Sequence, residues 1–64
     1  MKIDINGKAH DVRGPMLADA LEELGYDGKI ATAVNEAFVA KTQRAAYVLK
    51  DGDRVEVVAP KQGG

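Results

Sequence analysis

No cysteine occurs among these 64 residues. That excludes disulfides, thiolate metal sites and any chemistry needing a side-chain thiol. One histidine is present, too few for a histidine-based metal site. Tryptophan is absent, phenylalanine occurs once and tyrosine twice, so the core has to be largely aliphatic. No apolar run approaches the roughly 20 residues of a membrane span. Met1-Lys2 leads into alternating residues, unlike the continuous apolar stretch of a secretory signal. Neither sign of charge dominates: nine basic and ten acidic residues leave a formal net charge of −1. Such a balance gives nucleic acid or an anionic membrane nothing to grip. These absences predict a cytoplasmic protein with no stably bound cofactor, no metal, and no nucleic-acid or membrane partner.

What is present is ordinary for a globular chain: 45% apolar and 30% charged residues. The length allows one small domain, spanning 1–64, with a marginal core and no cross-link to support it. Met1, Ile3 and Ile5 alternate with Lys2, Asp4 and Asn6, the pattern of a strand with one buried face. Asn6-Gly7 follows, the dipeptide that best tolerates the positive φ angles of a tight hairpin. The return strand, 8–13, is weaker. Lys8, His10 and Val12 are its better buried face, and it reads as a half-exposed edge strand.

Gly14-Pro15 stops that strand and opens a helix, with Pro15 in the first turn. Leu17, Ala20, Leu21 and Leu24 fall at i, i+3, i+4 and i+7, a single apolar stripe. Asp19, Glu22 and Glu23 lie off it, and Gly25 is the expected C-cap. At about 9–11 residues the helix is too short to stand alone and has to pack on a sheet. Ile30, Thr32 and Val34 share one face of the next strand, with Ala31 and Ala33 on the other. Phe38-Val39 reads as a short strand, Thr42 as the cap of a helical turn running to Ala46, and Leu49 as a core plug. Asp51-Gly52-Asp53 is a tight turn. The last strand places Val55, Val57 and Ala59 inward and Val58 outward. Pro60, which cannot donate to a ladder, ends it. The order predicts an α+β chain in which a four- to five-stranded mixed sheet wraps one helix and the first and last strands pair centrally.

This order resembles the β-grasp, or ubiquitin-like, fold. "MKIDINGK", "PMLADALEELG", "AVNEAFVAK" and "VLKDGDRVEVVAPKQGG" together resemble the thiamine-biosynthesis sulfur carrier family (ThiS) over almost the whole chain. The ending is the most specific part: Gly52-Asp53, an alternating valine strand, a proline, and a terminal Gly63-Gly64. The sequence departs from the family pattern at several places. Glu36 stands where members often carry glycine, Ala40-Lys41 where Pro-Arg is common, Arg44 where tryptophan is common, and Met16 where threonine often caps the helix. Molybdopterin-synthase sulfur carriers share the fold and the Gly-Gly end but resemble the chain less.

A Gly-Gly end taken alone is more often a flexible terminus, and residues 60–64 read as a flexible tail. The resemblance implies more. It implies a sulfur carrier that is itself no enzyme, whose Gly64 carboxylate is adenylated with ATP by a ubiquitin-activating-like enzyme and converted to a thiocarboxylate. It also implies a cysteine desulfurase or other sulfur donor, and thiazole synthase as acceptor. With no thiol in the chain, carried sulfur has only the Gly64 carboxylate to sit on. Gly63, lacking a Cβ, suits a narrow channel, and Gln62 and Lys61 are placed for recognition of the tail by a partner. Val58 and Arg54 are candidate docking residues, against the commoner reading of isolated surface valines and solvated charges. Phe38 is a third docking candidate, although a lone phenylalanine fits the core or its rim better. Sulfur delivery to a molybdenum or tungsten cofactor, cysteine or tRNA, and conjugation of Gly64 to other proteins, are the alternative functions.

Overall fold

The structure is a computed structural model that describes residues 1–59. Five strands form one mixed sheet: β1 (Lys2–Ile5), β2 (Lys8–Asp11), β3 (Ala31–Val34), β4 (Ala37–Val39) and β5 (Arg54–Val58). Their order is β2-β1-β5-β3-β4, so the last strand lies at the centre. It runs parallel to β1, with Asp4 opposite Arg54 and Ile5 opposite Val55, and antiparallel to β3. One helix, α1 (Leu17–Glu23), and a 3₁₀ segment (Lys41–Ala46) complete the fold. The expected β-grasp architecture is therefore present.

Alternation along the strands builds the core. Ile3, Ile5, Thr32, Val34, Val39, Val55 and Val57 point to one face of the sheet and are buried there, against Leu17, Ala20 and Leu21 of α1 and against Leu49. Leu24, the end of the stripe, is half-buried. Three expectations fail at the margins of this core. Met1 is exposed, because it sits at the open end of the hairpin, where its backbone pairs with Val12. On the return strand Val12 is buried and His10 half-buried, but Lys8 is exposed at the sheet edge. Ala59 is exposed because β5 ends at Val58.

The helix spans seven residues, shorter than its apolar pattern suggests. Pro15 and Met16 stay out of the helix because the segment running into it pairs with 47–49: Met16 bridges Val48, the Leu17 amide donates to the Tyr47 carbonyl at 2.8 Å, and the Leu49 amide to that of Pro15 at 2.6 Å. Pro15 thus lies ahead of the helix. The N-cap, Met16, contributes no side-chain hydrogen bond, while the N–H of Leu17, the first helical residue, is satisfied by the Tyr47 carbonyl. At the other end Gly25 has φ +86°, and the amides of Gly25 and Tyr26 donate to the carbonyls of Glu22 and Leu21. This is a Schellman closure, and it requires a left-handed residue at Gly25. In the 3₁₀ segment the N-cap is Ala40 rather than Thr42, and Gln43 Oε1 accepts weakly from the Ala40 amide at 3.4 Å.

Two asparagines bind the central strand from both sides. At the end of β1, Asn6 turns away from β5 with φ +51°. Its side chain continues the interrupted ladder: Nδ2 donates to the Val57 carbonyl at 3.0 Å and Oδ1 accepts from the Val57 amide at 2.9 Å. At the end of β3, Asn35 has φ +50°. Its Oδ1 accepts from the Arg54 amide and its Nδ2 donates to Asp53 Oδ1, both at 3.0 Å. Asp53 Oδ2 in turn accepts from the Lys50 amide at 2.8 Å. Asparagine meets both requirements, a tolerated left-handed backbone and a peptide-like donor and acceptor.

Glu36, next to Asn35, is also left-handed, with φ +73°. That conformation is unfavourable for a residue with a Cβ. Its ion pair with Arg54 is long, 3.9 Å, and both side chains are exposed, so it offsets little of the strain. Glu36→Gly is expected to stabilise the fold by about 0.5–1 kcal/mol. Asn6→Gly keeps the turn geometry but removes both clasp hydrogen bonds, and is expected to destabilise it by about 2 kcal/mol. Urea unfolding midpoints at constant slope read both effects.

Candidate functional site

The outer face of the sheet, away from α1, carries the exposed ends of the alternation. On β5 these are Arg54, Glu56 and Val58. Register extends the face sideways. Val58 lies opposite Ala31, Glu56 opposite Ala33, and Ala33 opposite Phe38 on β4. Residues opposite one another share a face, so Phe38, Ala33, Ala31 and Val58 form one apolar band across three strands. Phe38 is 72% exposed and Val58 61%. The small side chains of Ala31 and Ala33 leave the two larger ones standing clear of the strand between them.

The expectation that Phe38 belongs to the core is overturned here. Val39, buried at 3%, takes the inward position of β4, and a strand that sends Val39 inward sends its neighbour out. Arg54 is on the same outer face, beside Asp4 on β1 and close to Glu36. Val58, Phe38 and Arg54, singled out for separate reasons, are thus brought to one surface.

That surface adjoins the point at which the chain leaves the sheet, since β5 ends at Val58. Pro60, Lys61, Gln62, Gly63 and Gly64, including the tail and sulfur-attachment positions, lie outside the described residues. Among the described residues no three histidine, aspartate or glutamate side chains come together as a metal site.

The sequence reading missed one feature, Arg44. This residue is buried at 8% exposure. Its Nε donates to Thr32 Oγ1 at 3.0 Å and its Nη2 to the Ile30 carbonyl at 2.6 Å, while the Thr32 hydroxyl donates onward to the Val39 carbonyl at 2.8 Å. Arginine is rarely buried unless paired, so nothing in the local pattern announced it. The only available signal was its place where the resembled family commonly carries a large apolar ring.

Comparison with known proteins bears on the family and the fold. The model of the ThiS family matches residues 3–64. Sulfur carrier protein ThiS of Thermus thermophilus is 39% identical over 61 residues, covering 94% of this chain and 95% of that protein. A thiazole synthase of Paramagnetospirillum magneticum is 39% identical over 66 residues, which include all of this chain but only 20% of that larger protein. A crystal structure of thiamine biosynthesis protein ThiS from Geobacter metallireducens superposes with a TM-score of 0.83 at 26% identity, covering 100% of both chains. The match spans nearly every residue of the chain and carries both sequence and fold, so the chain belongs to the ThiS family.

Proposed function

We propose that the chain is a sulfur carrier for thiazole formation in thiamine biosynthesis, with the Gly64 carboxylate as the sulfur attachment point. The observation that carries this reading is a family match running through Gly63-Gly64 in a chain without cysteine. Carried sulfur has no side-chain thiol to occupy, and a terminal carboxylate can be converted to a thiocarboxylate.

A carboxylate is a poor electrophile, since its charge repels nucleophiles and oxide is a poor leaving group. Reaction with ATP on an adenylating partner makes the acyl-adenylate and releases pyrophosphate. A persulfide on a sulfur donor such as a cysteine desulfurase then attacks the carbonyl carbon and AMP leaves. A second thiol cleaves the resulting S–S bond, and the sulfur stays on Gly64 as thiocarboxylate. The chain supplies no acid or base to these steps; it is the substrate, and thiazole synthase is the acceptor.

The outer-face band fits docking of the adenylating enzyme. Phe38 and Val58 give it apolar contact area beside the tail, and Arg54 a charge at its margin. Gly63 lets an enzyme backbone close on the reacting end, and Gln62 and Lys61 are the positions a partner reads before it. The relative named thiazole synthase supports that enzyme as a partner, because a domain like this one occupies a fifth of its length. No helix among the described residues is long and apolar enough to cross a membrane, which accords with a cytoplasmic place of work.

Incubation with ATP, the adenylating enzyme and a sulfur donor, followed by intact mass measurement, tests the assignment. The expected product is heavier by the exchange of one oxygen for one sulfur. An unchanged mass with active partner enzymes overturns the reading, and a ladder of covalent conjugates favours a protein modifier. Removal of Gly64 should abolish the shift. Val58→Asp should lower kcat/KM for adenylation about tenfold while leaving the melting temperature within a few degrees, because the side chain is exposed.

A further inference from the structure

Behind the outer face, on the helix side, α1, the turn after it and the 3₁₀ segment line an open cavity of about 450 Å³. That lies within the roughly 300–1,000 Å³ of small-molecule clefts. Leu21, Ile30 and Tyr26 give it apolar and aromatic walls, Arg44 borders it from within, and Lys29 and Lys41 stand at its rim. Lys29 and Lys41 are exposed, whereas Arg44 is more than nine-tenths buried.

A guanidinium has five N–H donors. The Thr32 hydroxyl and the Ile30 carbonyl take one each. Both acceptors are neutral, and among the described residues the only ion pair within 4.0 Å is Arg54–Glu36. Arg44 is therefore a buried cation without a counter-ion. Its other donors are not sealed in the core, since the one buried side-chain polar atom lacking a partner among the described residues is Asp4 Oδ1. Nη1, which takes part in no hydrogen bond among the described residues, therefore keeps some solvent exposure, and Arg44 is one of the residues lining the cavity. Charge around the cavity sums to +1, from Arg44, Lys29 and Lys41 against Glu22 and Asp27.

We infer that this cavity is a binding site for a small organic monocarboxylate. The carboxylate sits on the open edge of the Arg44 guanidinium and the apolar body lies against Leu21, Ile30 and Tyr26. A planar fork suits a carboxylate. The net charge of one and the two rim carboxylates disfavour multiply charged phosphates. The site uses none of residues 60–64 and stands whether or not Gly64 carries sulfur.

Benzoate is a suitable probe and benzamide its neutral counterpart. Titration of the ¹⁵N-labelled chain with benzoate should produce saturable amide shifts confined to 26–30 and 41–45, with a dissociation constant of about a millimolar, as expected for so few heavy atoms. Benzamide should not saturate the same amides. The double variant Lys29→Ala/Lys41→Ala, which alters only exposed side chains, should weaken benzoate about fivefold. Arg44→Trp should fill the cavity and abolish binding; if it fails to fold, the lysine variant decides. The inference is overturned if benzoate gives no saturable shift, if benzamide binds equally well, or if the lysine variant binds unchanged.

Discussion

The structure depends on how its central strand is held. β5 has neighbours on both sides, and each neighbouring strand turns away from it at an asparagine. At those points the backbone ladder would lapse and leave N–H and C=O groups of β5 unpaired in the middle of the sheet. Asn6 and Asn35 prevent this with side-chain amides that stand in for the missing peptide groups. The same residues supply the left-handed backbone that both turns require. Direction change and sheet continuity are thus joined in single residues, and either one replaced by a residue lacking an amide would loosen the strand from which the tail departs.

That constraint organises the candidate surface as well. With β5 fixed in the middle, its alternation has only two outlets: Val55 and Val57 fill the core, while Arg54, Glu56 and Val58 meet solvent. Register with β3 and β4 then carries the apolar character of Val58 sideways to Phe38 over two alanines. A partner that grasps this face is placed beside the end of β5, from which residues 60–64 continue. A rigid face at the end of β5 suits the carrier role proposed above.

Much of this was legible in the sequence. Alternation in Ile3/Ile5 and Val55/Val57, the Asn6-Gly7 turn and the Leu17–Leu21 stripe follow from periods of two and 3.6, and they placed both the sheet and the helix. Phe38 was misjudged because its hydrophobicity outweighed, in that reading, the parity set by Val39. The helix began late because the pairing of 15–17 with 47–49 is a long-range contact invisible to local periodicity. Arg44 escaped for a related reason: its partners, Thr32 and the Ile30 carbonyl, lie on another element. Asn6 was read for its backbone tolerance and Asn35 only as part of the family resemblance; the reach of both side chains to β5 depends on register that only the folded sheet defines. The outward position of Val58 was legible because it rests on strand parity, whereas the Gly64 reading rests on residues outside the described ones.

The pairing of β1 with β5 also bears on how the chain reaches its fold. Asn6 and Val57 are 51 positions apart in sequence, so the first strand made cannot complete its pairing until the last strand exists. Contacts of such separation slow folding and make it depend on nearly the whole chain. During synthesis, the opening hairpin and α1 have no central strand to close on until Val58 has emerged. A chain cut short of β5 lacks the middle of its sheet and should remain open to proteolysis. Topology thus acts as quality control: only a chain extended at least to the end of β5 can present a finished outer face.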